Sequence, residues 1–158
     1  MMSGHLVAIL HSLPVGTGAR TLSRIEIARE ALGCTSASVA NLYAAPLPNS
    51  NLLNLSGMEA AWQAGRDEIA RELYRADTTD VLLGYGVQLP TGDQRVVFQA
   101  QLRWLTEQLG ERQHRVWTFG GRPTHPSRWH RVARREAAES TVADSATALL
   151  TRSTIGAA

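Results

Sequence analysis

The stretch Phe119 to Arg135 reads Phe-Gly-Gly-Arg-Pro-Thr-His-Pro-Ser-Arg-Trp-His-Arg-Val-Ala-Arg-Arg, with two glycines, two prolines, two histidines, five arginines and no acid. Glycine lets backbone approach a ligand, proline fixes its neighbours, histidine exchanges a proton near neutrality, and arginine offers a planar fork to phosphate or carboxylate. Such a run suits a binding wall better than a packed interior. His125, between Thr124 and Pro126, falls outside any regular element, and a loop histidine beside arginines is expected to face a ligand. Arg122, Arg128 and Arg131 are the expected phosphate contacts. Trp129 is expected at the surface, with stacking on a base as one role for it.

Other candidates are scattered along the chain. Asn41 follows an apolar strand-like segment, where asparagine is depleted; its amide can read an amide-like base edge or simply cap a loop. Tyr85, between Gly84 and Gly86, is either an accessible stacking ring or part of the core. Gly16-Thr17-Gly18 ahead of a helix can offer N–H groups to an anion, but neither phosphate-loop nor dinucleotide spacing is present, and simple turn chemistry is the favoured account. No Cys/His array has zinc spacing, so neither a metal nor a cofactor is expected, and Cys34, the single cysteine, is expected to be inert.

All 16 basic residues are arginine, and the formal net charge is +2. Compositional bias explains the missing lysine; it does not explain placement. Seven arginines and three histidines lie between Glu111 and Arg135, with Glu111 the single acid. That local excess points to an anionic partner, a nucleic acid or a nucleotide, with an acidic protein surface as the duller alternative. The opening residues carry no basic leader, no membrane-length apolar run follows, and a lone cysteine fits a reducing compartment. A cytoplasmic chain without membrane contact is therefore expected. Nothing in the sequence assigns an oligomeric state.

The elements that position these groups follow from periodicity. A chain of 158 residues fits one domain, taken as 1–150 with a flexible tail over 151–158. Apolar runs at 6–10, 37–43, 80–86 and 115–119 read as strands or strand exits. Helices are expected between them: one with Leu22, Ile25, Ala28 and Leu32 at helical spacing and Gly33 as its stop, one from Ser56 with Trp62, Ile69 and Leu73 inward, and one over about 94–109 with Val97, Ala100, Trp104 and Leu105 inward. Residues 132–150 are alanine-rich and weakly helical. Alternating strand and helix imply a parallel four-stranded sheet covered by helices, with a ligand beyond the carboxyl ends of the strands.

The order of these motifs resembles a known family. A first strand leading to His11-Ser12-Leu13-Pro14, a strand ending Asn41-Leu42-Tyr43, the strand Asp80-Val-Leu-Leu-Gly-Tyr-Gly86 and a late His125-Pro126-Ser127 together resemble the bacterial domain of unknown function 1643 family, over roughly residues 5–131. His11 stands where that family places asparagine. More distantly the order is similar to the uracil-DNA glycosylase superfamily, which implies a three-layer α/β/α sandwich and N-glycosidic hydrolysis. By that resemblance Asn41 would read the base edge and His125 would stabilise charge on the departing base. Ser127 and Arg128 would contact phosphate, and His11 or Ser12 would take the water side. Apart from the resemblance, Ser12, Tyr43 and Tyr85 are candidates, with Asn41, for contacts to the base or ligand. No Asp or Glu occurs before Glu26 to activate water, so a pocket of the same kind that binds without cutting is the alternative.

Overall fold

The computed structural model describes residues 2–14, 16–46 and 55–153, without the side chains of 55–58. The elements in chain order are β1 (His5–Leu13), α1 (Ala19–Leu32), β2 (Ser36–Pro46), α2 (Leu55–Leu73), β3 (Thr78–Leu83), α3 (Asp93–Gly110), β4 (Arg115–Phe119), a 3-10 turn (Pro126–Arg128), α4 (Trp129–Glu136), α5 (Val142–Leu149) and β5 (Leu150–Arg152). The sheet order is β2-β1-β3-β4-β5. β1 to β4 are parallel, and β5 runs antiparallel to β4.

Alternation along β1 splits the core into two layers. Leu6, Ala8 and Leu10 pack with Ile25 and Ala28 of α1, Trp129 of α4 and Ala146 of α5. Val7 and Ile9 pack with Trp62 and Ile69 of α2 and Phe98 and Leu105 of α3. Helices therefore cover both faces of the sheet. The close fit of α2 shows at Gly65, where an added Cβ would lie 2.1 Å from the Leu42 carbonyl oxygen. Gly33 ends α1 in the left-handed conformation, φ 71°, as its position in the sequence implies.

Near the amino ends of the strands, buried Asp80 ties the sheet together. It accepts from Nε and Nη2 of Arg115 at 2.9 Å each, from the Trp117 indole at 2.8 Å and from the Thr79 hydroxyl at 2.6 Å. Burial alone would raise this carboxyl; those donors outweigh it and hold it below the usual carboxylate range. Burial and the neighbouring Asp80 push the Cys34 thiol up to about 11, so it stays protonated and unreactive near neutrality.

Several expectations are corrected. The sheet has five strands, because residues 150–152, assigned to a weak helix and a flexible tail, pair with β4; residues 154–158 lie outside the described set. The segment expected as one helix over 132–150 is divided between α4 and α5, the second started by a Thr141–Asp144 capping box. Trp129 is fully buried, stacked on Phe119 at 4.2 Å with its indole N–H on the Thr124 carbonyl at 2.9 Å. Leu22 is 54% exposed. In α3 the buried stripe is Phe98, Gln101, Leu105 and Leu109; of the expected inward residues Leu105 is buried, Val97 and Trp104 pack part-buried against the core, and Ala100 is part-exposed. Gln101 is inside because its amide donates to the carbonyls of Leu42 and Trp62, at 2.9 Å each.

Candidate functional site

β1 is followed in sequence by the strand on one side of it and later pairs with β3 on the other, so its carboxyl end lies at a switch point. The connections leave in opposite directions there and open a crevice. A cleft of about 940 Å³ occupies this position. His11 at the end of β1 and the loop from Tyr85 to Pro90 after β3 form one side, the loop after β4 and the face of α4 the other, and Gln94 in the first turn of α3 lines it as well. β1 continues through His11 and Ser12, which the sequence reading placed in a loop; strand geometry therefore sets the direction of the His11 ring.

Two rings of the lining, His11 and Tyr85, rest on aromatic rings of the buried core. His11 lies 5.0 Å from Phe98 and 6.2 Å, edge-on, from Trp62, and Tyr85 meets Phe98 at 6.1 Å, also edge-on. Burial among these rings lowers the His11 pKa, and the nearby His125 lowers it further, so His11 is neutral at pH 7. Among the described residues neither ring nitrogen of His11 has a hydrogen-bond partner. Burial raises the Tyr85 phenol, which stays protonated.

The opposite wall is set by the 3-10 turn. His125 caps it: Nδ1 accepts from the Ser127 backbone N–H at 3.2 Å and lies 2.8 Å from the Ser127 hydroxyl. A neutral imidazole with Nδ1 accepting carries its proton on Nε2, so the ring offers Nε2–H as a donor without being charged. Burial and then Arg128 lower the His125 pKa and keep that form dominant near neutrality. From α1, Nη1 of Arg24 donates to the Pro126 carbonyl at 2.6 Å and pins the turn. Gly84 lets the turn close down, since a Cβ there would lie 3.1 Å from both Leu10 and Pro126.

Arg122, Arg128, Arg131 and Arg135 line the cleft, and among the described residues Glu136 is the one acid lining it. Among the described residues none of the four guanidinium groups is ion-paired. Unpaired cations around a concave surface concentrate positive potential in it. No cluster of three or more His, Cys, Asp or Glu among the described residues could hold a metal, and no helix among them is long and apolar enough to cross a membrane.

Of the sequence candidates, His11, Tyr85, Arg122, His125, Arg128 and Arg131 come together in this cleft. Asn41, Tyr43, Ser12 and Ser127 do not line it. Asn41 is 2% exposed, with Oδ1 buried and unpartnered. Tyr43 packs on Trp62 at 4.9 Å in the core, and Ser12 sits in the ladder opposite Tyr43. Ser127 serves the site from behind, by orienting His125. The asparagine-rich segment 49–54 falls outside the described residues. Arg135 was not singled out from the sequence; its spacing of four from Arg131 and seven from Arg128 is the signal that places it on their helix face. Set against protein-family models, curated proteins and solved structures, the chain matches none.

Proposed function

We propose that this cleft binds a nucleobase that carries phosphate, as a nucleotide or within a nucleic-acid strand. The observation that carries the reading is a set of four guanidinium groups, not ion-paired among the described residues, that share one opening with the His11 and Tyr85 rings. Phosphate oxygens would meet the arginine forks, the base would lie against Tyr85 and His11, and the Nε2–H of His125 would donate to an acceptor on the base edge. The resemblance to the uracil-DNA glycosylase superfamily and to the domain of unknown function 1643 family belongs to the same proposal.

N-glycosidic hydrolysis is the second reading, favoured by the tautomer of His125. In it the sugar–base bond breaks with its electron pair passing to the base, and the Nε2–H of His125 stabilises the charge that develops there. Water bonds to the anomeric carbon, and neutral His11 accepts the proton that water loses. The departing base takes its proton from solvent. Asn41 has no part in this scheme, being closed off from the cleft.

Incubation with uracil-containing and modified-base oligonucleotides, nucleosides and nucleoside phosphates, with release of free base as the readout, separates the two. Released base that disappears in His125→Ala supports hydrolysis. Saturable binding without release supports a binding module. Absence of both overturns the proposal.

A further inference from the structure

α4 has a second cationic side. Arg131 and Arg135, with Arg128 just ahead of the helix, line the cleft described above, whereas His130 and Arg134, four residues apart, line a separate concavity of about 600 Å³. Its other wall is α1, which contributes Arg20 and Arg24, also four residues apart and hence stacked on one helix face. The first turn of α5 closes the end.

The charges in this second cleft are not balanced from within the protein. Three arginines line it against one acid, Glu139, and none of them is ion-paired among the described residues. Arg24 lies with Nη1 3.4 Å from Nδ1 of His130 and 2.6 Å from the Pro126 carbonyl, and among the described residues its Nε and Nη2 have no hydrogen-bond partner. The crowding of like charge acts on the groups themselves: burial and then Arg20 lower the Arg24 guanidinium, and burial followed by Arg24, Arg131, Arg134 and Arg20 lowers His130. Bringing like charges together raises the free energy unless an anion enters.

We propose that the second cleft is a phosphate-binding site, with Arg20, Arg24 and Arg134 supplying the forks and Ser23 a hydroxyl. Three guanidinium groups facing one carboxylate match a phosphate better than a single carboxylate ligand, because phosphate is multiply charged and its oxygens accept from several forks at once. The phosphate belongs either to a small phosphorylated molecule or to the backbone of a nucleic acid whose chain passes over α4. The site stands whether or not the first cleft binds a base.

Histidine side-chain NMR at fixed pH tests it, because His130 reports on the second cleft and His125 on the first. Pyrophosphate and a short single-stranded oligothymidylate serve as probes. A saturable shift of the His130 signals is expected, with the affinity read there falling about tenfold or more in the doubly substituted Arg20→Gln, Arg134→Gln protein while the His125 response is retained. Both arginines are exposed and, among the described residues, not ion-paired, so the variant should fold as the parent does. Saturation by pyrophosphate assigns a small phosphorylated ligand, and saturation by the oligonucleotide alone assigns backbone phosphate. A His130 signal indifferent to both probes, or a response unchanged in the double variant, overturns the site. A responding His130 beside a silent His125 would instead count against the proposal for the first cleft.

Discussion

The Ser127 backbone N–H selects the tautomer of His125: by donating to Nδ1 at 3.2 Å it leaves the ring proton on Nε2. The donor is main chain, so the effect survives changes to the Ser127 side chain. His125→Ala is expected to weaken nucleotide or oligonucleotide binding by roughly tenfold, the value of one good hydrogen bond, whereas Ser127→Ala stays within about threefold. Calorimetric titration of the two variants checks this. Equal losses would mean that the serine hydroxyl, and not its N–H, matters.

The arginine wall makes affinity depend on salt. Three or four backbone contacts predict a slope of about −2 to −3 for log affinity against log salt with a single strand, and Arg135→Gln should reduce its magnitude by about 0.7. Fluorescence anisotropy across a salt series measures it. A flat response would exclude these groups as phosphate readers.

Arg24 holds the 3-10 turn through the Pro126 carbonyl. Arg24→Ala is expected to cost roughly 1–2 kcal/mol of stability and to speed amide exchange at Arg128, whose N–H donates to the His125 carbonyl at 2.8 Å. Exchange rates at Arg128 that match the parent would show that the turn holds itself.

Acid should destabilise the protein in two stages. Burial holds the folded-state pKa of His5, His11 and His125 below the ordinary value of about 6.5. The unfolded chain therefore takes up protons first, and stability is full above that value and lost as pH falls through the lower folded values. Asp80, also depressed when folded, extends the loss further into acid. Urea midpoints should fall between pH 7 and 5 and again below pH 4; a constant midpoint from pH 7 to 5 would contradict the first stage.

At Gly65 α2 approaches the backbone of β2 closely. Gly65→Ala places a methyl group against the Leu42 carbonyl and is expected to cost about 1–3 kcal/mol, visible in thermal melting, although alanine favours the helix itself. A neutral substitution would show that α2 can lift from the sheet at little cost.

How far these features were legible differs by residue. The run 115–119 and the stop at Gly33 are local signals, and both elements lie where those signals put them. β5 was hidden because Leu150–Arg152 is three residues long and gains its ladder only from β4, a long-range partner. Trp129 was misplaced for a related reason: its neighbours in sequence are cationic, while its neighbours in space are Phe119 and the Thr124 carbonyl. Gln101 reads as a surface residue until the carbonyls that satisfy its amide are known.

The sequence by itself determined the alternation of strands and helices, the excess of arginine in one region and the loop setting of His125. All of these are properties of chain neighbours, carried by periodicity and by the chemistry of glycine and proline. Only the tertiary structure decided that Asn41 is enclosed while His11 reaches the cleft, and that the arginines divide between two concavities on either side of α4. Those outcomes depend on strand order and on the rotation of each helix about its axis. Both are fixed by contacts between segments far apart in the chain, where no local pattern is written.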